Sequence, residues 1–176
     1  MTGSATSQAR RMGAASLTLD IVIEDADQPL WQAFGNVEAL VGRAAEAVAA
    51  HPRLKLDNAE AALALSSDAA VKELNTTYRQ QPKATNVLSF PAPRMPTPRG
   101  APRFLGDIVL AAETIEREAK DLGIPLANHF QHLVVHGTLH LLGFDHETEA
   151  EAQVMEGLEI EILRTLDIEN PYRDHS

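Results

Sequence analysis

The sequence predicts an α+β fold: a single layered domain with an about four-stranded mixed sheet packed with four to six helices. Three observations carry this. Stretches of period-two and of period-3.6 hydrophobicity both occur but do not alternate strictly, which argues against a doubly wound sheet. A chain of 176 residues that is 44% hydrophobic can bury one sizeable core. No internal repeat or linker divides it. The domain is expected at residues 17–170, with 1–16 as a disordered lead and 171–176 as a tail.

The elements follow in order. Leu17 to Ile23 alternates apolar and polar residues with β-branched side chains, a strand pattern. Asp25 to Pro29 reads as a turn. Leu30 to Ala50 carries Phe34, Val37, Leu40, Val41, Ala44 and Val48 at helical spacing, and His51-Pro52 ends it. Glu60 to Leu65 is a second strand. Ser66, Ser67 and Asp68 are N-cap candidates for a short helix carrying Val71, Leu74 and Tyr78. Thr85 to Phe90 is a third strand. Pro91 to Pro102 holds five prolines, too many for helix or ladder, and reads as an exposed loop. Leu105 to Ala111 is a fourth strand, and Glu113 to Leu122 a helix capped by Gly123. A helix over about 126–142 follows. The last one, Thr148 to Leu166, spaces Val154, Leu158, Ile162 and Leu166 four apart.

Composition narrows the function classes. The absence of Cys excludes a disulfide framework and thiolate-bound zinc, and fits a reducing compartment. No run of about 18 apolar residues exists to span a membrane, and Met1 to Ser16 lacks the apolar core of a secretory signal. A net charge of −10 taken alone argues against nucleic acid. Its distribution argues differently. Arg79, Lys83, Arg94, Arg99 and Arg103 lie in a segment without Asp or Glu, whereas acid gathers from Asp145 onward. Such a segment can be a footprint for phosphate; taken alone, a solvated loop explains it as well.

The most specific stretch runs from His136 to His146. His136 and His140 share a helix face, four residues apart. Gly143 can take positive φ and fold the chain back, bringing His146 to the same point. Three converging imidazoles are the usual protein half of a catalytic zinc site, with a fourth position for water or substrate. His132 extends the stripe as a packing or supporting residue, while His51, His129 and His175 read as surface residues. Asp107 and Asp145 are candidates for orienting an imidazole or an arginine.

The spacing matches that of metzincin peptidases, but those carry a Glu general base directly after the first His, where this chain has Gly137. Peptide hydrolysis is therefore disfavoured. Phosphodiester cleavage needs a cation at the phosphate, and Arg79 is the candidate.

With these motifs the chain resembles the YbeY family of bacterial ribosomal RNA maturation factors, zinc-dependent endoribonucleases, over nearly its whole length. Leu74 to Arg79, Thr85 to Pro91 with Leu105 to Ile108, and His136 to His146 carry the resemblance. It implies one zinc per chain on His136, His140 and His146, with Arg79 and His136 as catalytic residues, Arg79 matching the family's functional Arg and His136 being both ligand and functionally essential. It further implies single-strand-specific cleavage in ribosomal RNA maturation, including the 16S 3′ end, and a part in ribosome quality control. Implied partners are ribosomal or other single-stranded RNA and ribosomal proteins or small-subunit assembly factors, in the cytoplasm and without a membrane. Where the family usually has Asp, this chain has Asn86. Two other readings stand beside this one: a metallopeptidase-like hydrolase, and a non-catalytic ribosome-assembly factor whose zinc is structural.

Overall fold

The computed structural model describes residues 10–14 and 16–172. Five strands form one mixed sheet: β1 (Arg10–Ala14), β2 (Leu17–Ile23), β3 (Ala59–Ser66), β4 (Val87–Pro91) and β5 (Arg103–Ala111). Their order is β1-β2-β3-β5-β4. The central pairs β2/β3 and β3/β5 are parallel, and the outer pairs β1/β2 and β4/β5 are antiparallel. The α+β class and the mixed sheet are as the sequence predicts, with one strand more. The added strand falls in the expected lead: Arg10–Ala14 pairs with Ile21 through Leu17. Its short, basic run has no hydrophobic period to reveal it, because an edge strand is held chiefly by its ladder of backbone hydrogen bonds. Residues 1–9 and 173–176 lie outside the described residues.

Alternation decides which face each strand buries. Leu17, Leu19 and Ile21 of β2 pair with Ala59, Ala61 and Leu63 of β3, and Leu63 and Leu65 pair with Ile108 and Leu110 of β5. All of these join the main core. On the other face, Leu88, Val109 and Ala111 pack with Val71 in a smaller cluster.

Six helices cover the sheet: α1 (Gln28–Trp31), α2 (Val37–Ala50), α3 (Asp68–Arg79), α4 (Ala112–Leu122), α5 (Leu126–Leu141) and α6 (Glu149–Thr165). The helix expected from Leu30 to Ala50 is broken. Gly35 takes φ 85°, and the Asn36 side chain accepts a hydrogen bond from the Ala39 N–H to start α2. Before the break, Trp31 and Phe34 turn inward and pack against Phe130, Phe34 edge-on to it. Pro91 sits within β4, opposite Gly106, although the proline count suggested a loop from that point. An edge strand tolerates the missing N–H.

The last helix opens on a capping box between Thr148 and Glu151. Its buried stripe is Met155, Leu158, Glu159, Ile162 and Leu163, one position round from the expected one, so Val154 is exposed. A carboxylate lies within an otherwise apolar stripe.

Candidate metal centre and its cleft

The central helix α5 sets the site. One side packs on the sheet, where Gly137 meets β4 and β5 so closely that an added Cβ would lie 2.9 Å from Ile108 Cγ2 and 3.3 Å from Ser89 Oγ. Ser89 Oγ donates to the Gly137 carbonyl at 3.2 Å. Gly137 therefore seats the helix on the edge strand. A Glu here would drive into the sheet.

His132, His136 and His140 occupy successive turns of another face of α5. The helix ends at Leu141, and Gly143 adopts φ 103°, the left-handed turn its residue type predicts. The chain doubles back: the Phe144 N–H donates to the Leu139 carbonyl, and Asp145 Oδ1 accepts from the His146 N–H. His146 arrives beside the first two imidazoles. Nitrogens of His136, His140 and His146 lie within 4.8 Å of one another, a group that could hold a metal ion. Burial pushes the His140 pKa below the ordinary imidazole value; the nearby His136 and His146 act in the same direction, against Asp145. The low value favours the neutral imidazole that a metal needs.

Behind His136 lies a residue the sequence reading missed. Glu159, with 0% exposure, accepts three hydrogen bonds. His136 Nδ1–H donates to Oε2 at 2.9 Å, His132 Nε2–H to Oε1 at 2.7 Å, and the Tyr172 hydroxyl to Oε1 at 2.6 Å. Burial alone would raise the Glu159 pKa, but the bonds and charges of His132 and His136 outweigh it and hold the carboxyl down at about 2. Burial raises the Tyr172 pKa, and the Glu159 charge adds to the rise, so the phenol stays a donor. With its Nδ1 proton held by a carboxylate, His136 has Nε2 as its free lone pair, the arrangement that fixes a ligating tautomer. His132, His136 and Glu159 also lie close enough to hold an ion. Their separations are hydrogen-bond distances, so they serve as the support of the three-imidazole group.

Of the two expected carboxylates, Asp145 accepts from the His146 N–H in the return loop and its charge acts on His140, while Asp107 lies on β5 in the lining of a second groove, where burial raises its pKa. His132 is the supporting residue expected of it. His129 and His51 are not surface residues: each ring is more than nine-tenths buried, bonded through Nε2 to Glu118 at 2.9 Å and Glu161 at 2.7 Å respectively. His175 lies outside the described residues. The local signal for Glu159 was present, an acid between Leu158 and Ile162, but a four-residue stripe steps over it.

The three imidazoles open into a cleft of about 760 Å³ along the free edge of β4. Arg79, at the last turn of α3, lines the same cleft, with Lys83, Asn86 and Ser89. Its Nη2 donates to the Ser89 carbonyl at 2.9 Å, and its guanidinium carbon lies 5.5 Å from the centre of the Phe90 ring. The exposed arginine is thus braced beside the site through one of its five donors. Asn86 Nδ2 donates to Glu118 Oε1 at 3.0 Å. An Asp at that position would set two carboxylates against each other.

Comparison with known proteins places the chain in a family. The family described as Endoribonuclease YbeY matches residues 23–167. A protein named Endoribonuclease YbeY from Rhodopseudomonas palustris (strain BisA53) is 53% identical over 146 residues, covering 82% of this chain and 85% of that protein. One of the same name from Dinoroseobacter shibae is 48% identical over 170 residues, covering 90% and 92%. A solution structure of a Thermotoga maritima protein aligns over 89% of this chain and 99% of that one, at 20% identity and a TM-score of 0.47. The chain is an α+β domain whose three imidazoles could hold a metal ion, and it belongs to the YbeY endoribonuclease family. Among the described residues no helix is long and apolar enough to cross a membrane.

Proposed function

We propose that this protein is a zinc-dependent endoribonuclease that cleaves single-stranded RNA and acts in ribosomal RNA processing, including the 16S 3′ end, and in ribosome quality control. Three neutral-nitrogen ligands without thiolate suit zinc, one per chain, with His136, His140 and His146 as its holders. When bound, zinc supplies Lewis acidity toward a phosphoryl oxygen and an attacking water. The protein's own residues do the rest. Glu159 keeps the His136 ring in its ligating orientation. Arg79, fixed at one edge by Ser89, offers its remaining N–H donors to a phosphate on the strand being cut. The open edge of β4 lines the cleft along which that strand lies. Ribosomal proteins or small-subunit assembly factors present the substrate, in the cytoplasm.

The observation that carries this reading is Gly137. Its Cα side is filled by Ile108 and Ser89, so the place from which a peptidase base would act is taken up by helix–sheet packing. Arg79 stands in the cleft instead, a residue suited to phosphate. Nuclease-free, zinc-loaded protein is expected to cut single-stranded RNA and to lose that activity to a chelator. Peptide cleavage under the same conditions, with RNA left intact, would replace this reading with the peptidase one.

A further inference from the structure

A second groove, of about 540 Å³, adjoins the cleft, and Pro91 lies in the wall of both. The end of β4 and the proline-rich loop after it, residues 92–102, form one side and the start of β5 the other. Met95 is 73% exposed and Phe104 46% exposed, both in the groove lining. Arg94 and Arg103 flank them and also enclose a shallow hollow with Met95 and Pro96. On a chain of net charge −10, no acid occurs between Arg79 and Arg103. Among the described lining residues one carboxylate is present, Asp107, and burial disfavours its charge. The chain is poor in aromatics, at 5%, and Trp31, Phe34 and Phe130 are buried in the core. Among the described residues Phe104 is one of three aromatics left exposed, with Tyr78 and Tyr172, and it shares its groove wall with Arg94 and Arg103. The prolines limit the freedom the loop loses when something settles against it.

We infer that this groove is a second subsite for single-stranded RNA, holding nucleotides that continue the strand lying in the zinc cleft. The inference rests on the proposed RNA-cleaving function. An exposed aromatic gives a base a face to stack on whatever its identity, and flanking arginines neutralise the adjoining phosphates. Phe90 links the two places: it lines the groove, while Arg79 lies over its ring and Tyr78 packs edge-on against it. The path runs from imidazoles to Arg79 to Phe104, basic and aromatic groups in alternation.

The test is fluorescence anisotropy with labelled oligoadenylates of about 5 and about 15 nucleotides, lengths near the two ends of the ~4–16 nucleotides typical of single-strand sites. Wild type is compared with Phe104→Ala, Phe104→Tyr and the double variant Arg94→Glu/Arg103→Glu. Phe104→Ala is expected to weaken the long oligonucleotide roughly tenfold and the short one less than about twofold. Phe104→Tyr should retain wild-type affinity, which separates stacking from a loss of folding. The charge variant should lower the salt dependence of the long oligonucleotide by about one to two phosphates. Equal effects on both lengths, or none, would overturn the inference. So would unchanged RNA affinity together with lost binding to small ribosomal subunits, which would make the groove a protein-docking surface. Wild type that binds neither length would instead strike the function reading itself.

Discussion

Glu159 shows how much of a three-imidazole cluster can rest on a side chain outside it. Its carboxylate satisfies an imidazole of the candidate triad, a second imidazole and a phenol. Burying such a charge without partners would be costly; three donors offset that cost. Glu159→Gln is the informative substitution. The amide keeps the volume but carries donors of its own, so one partner loses its acceptor and His136 is released from its tautomer. Zinc affinity should fall roughly 10- to 100-fold. Circular dichroism should remain native, and competition with a chromophoric chelator measures the loss. Undiminished affinity would mean that the carboxylate only fills space. This residue also marks the limit of what the sequence discloses. The triad was legible because helix spacing and one glycine turn relate its members within eleven residues. Glu159 meets His136 only after two helices pack, and that pairing leaves no local period.

At the scale of elements, the seating of α5 on β4 decides what the site can become. Gly137 allows the helix to lie against Ile108 and Ser89. In Gly137→Ala the methyl gains about 1 kcal/mol of helix propensity. It must also push aside a β-branched side chain in a packed layer, a cost of about 1–3 kcal/mol. Net destabilisation of about 1 kcal/mol is expected in urea melts, and a stabilised variant would show that the layer yields easily. The same packing explains which elements were legible. β2 and β3 alternate because one face is buried, β5 ends in a continuous apolar run from Ile108 to Ala111 because both faces are covered there, and α4 announces its end with Gly123. β1 escaped notice because Arg10–Ala14 carries no apolar period in the sequence. The early break at Gly35 escaped because Phe34 and Val37 lie on both sides of it at helical spacing.

For the whole molecule, acid sensitivity follows from the same buried group. The Glu159 pKa is depressed from its ordinary 4.5 to about 2. Such a carboxylate stabilises the fold fully above its unfolded value, and the contribution fades as pH falls through the folded one. Stability should drop between about pH 5 and pH 2, and Glu159→Gln should drop less over that window in denaturant titrations. Equal slopes in the two proteins would assign acid sensitivity to other groups. The most direct measurement of the central claim is cleavage of a ribosomal RNA precursor by nuclease-free protein, with zinc content determined on each sample. Wild type should hold one zinc and cut. His140→Ala should lose both zinc and cutting, and Arg79→Ala should keep its zinc but cut far more slowly. Full cutting by His140→Ala, or by wild type stripped of metal, would contradict the account.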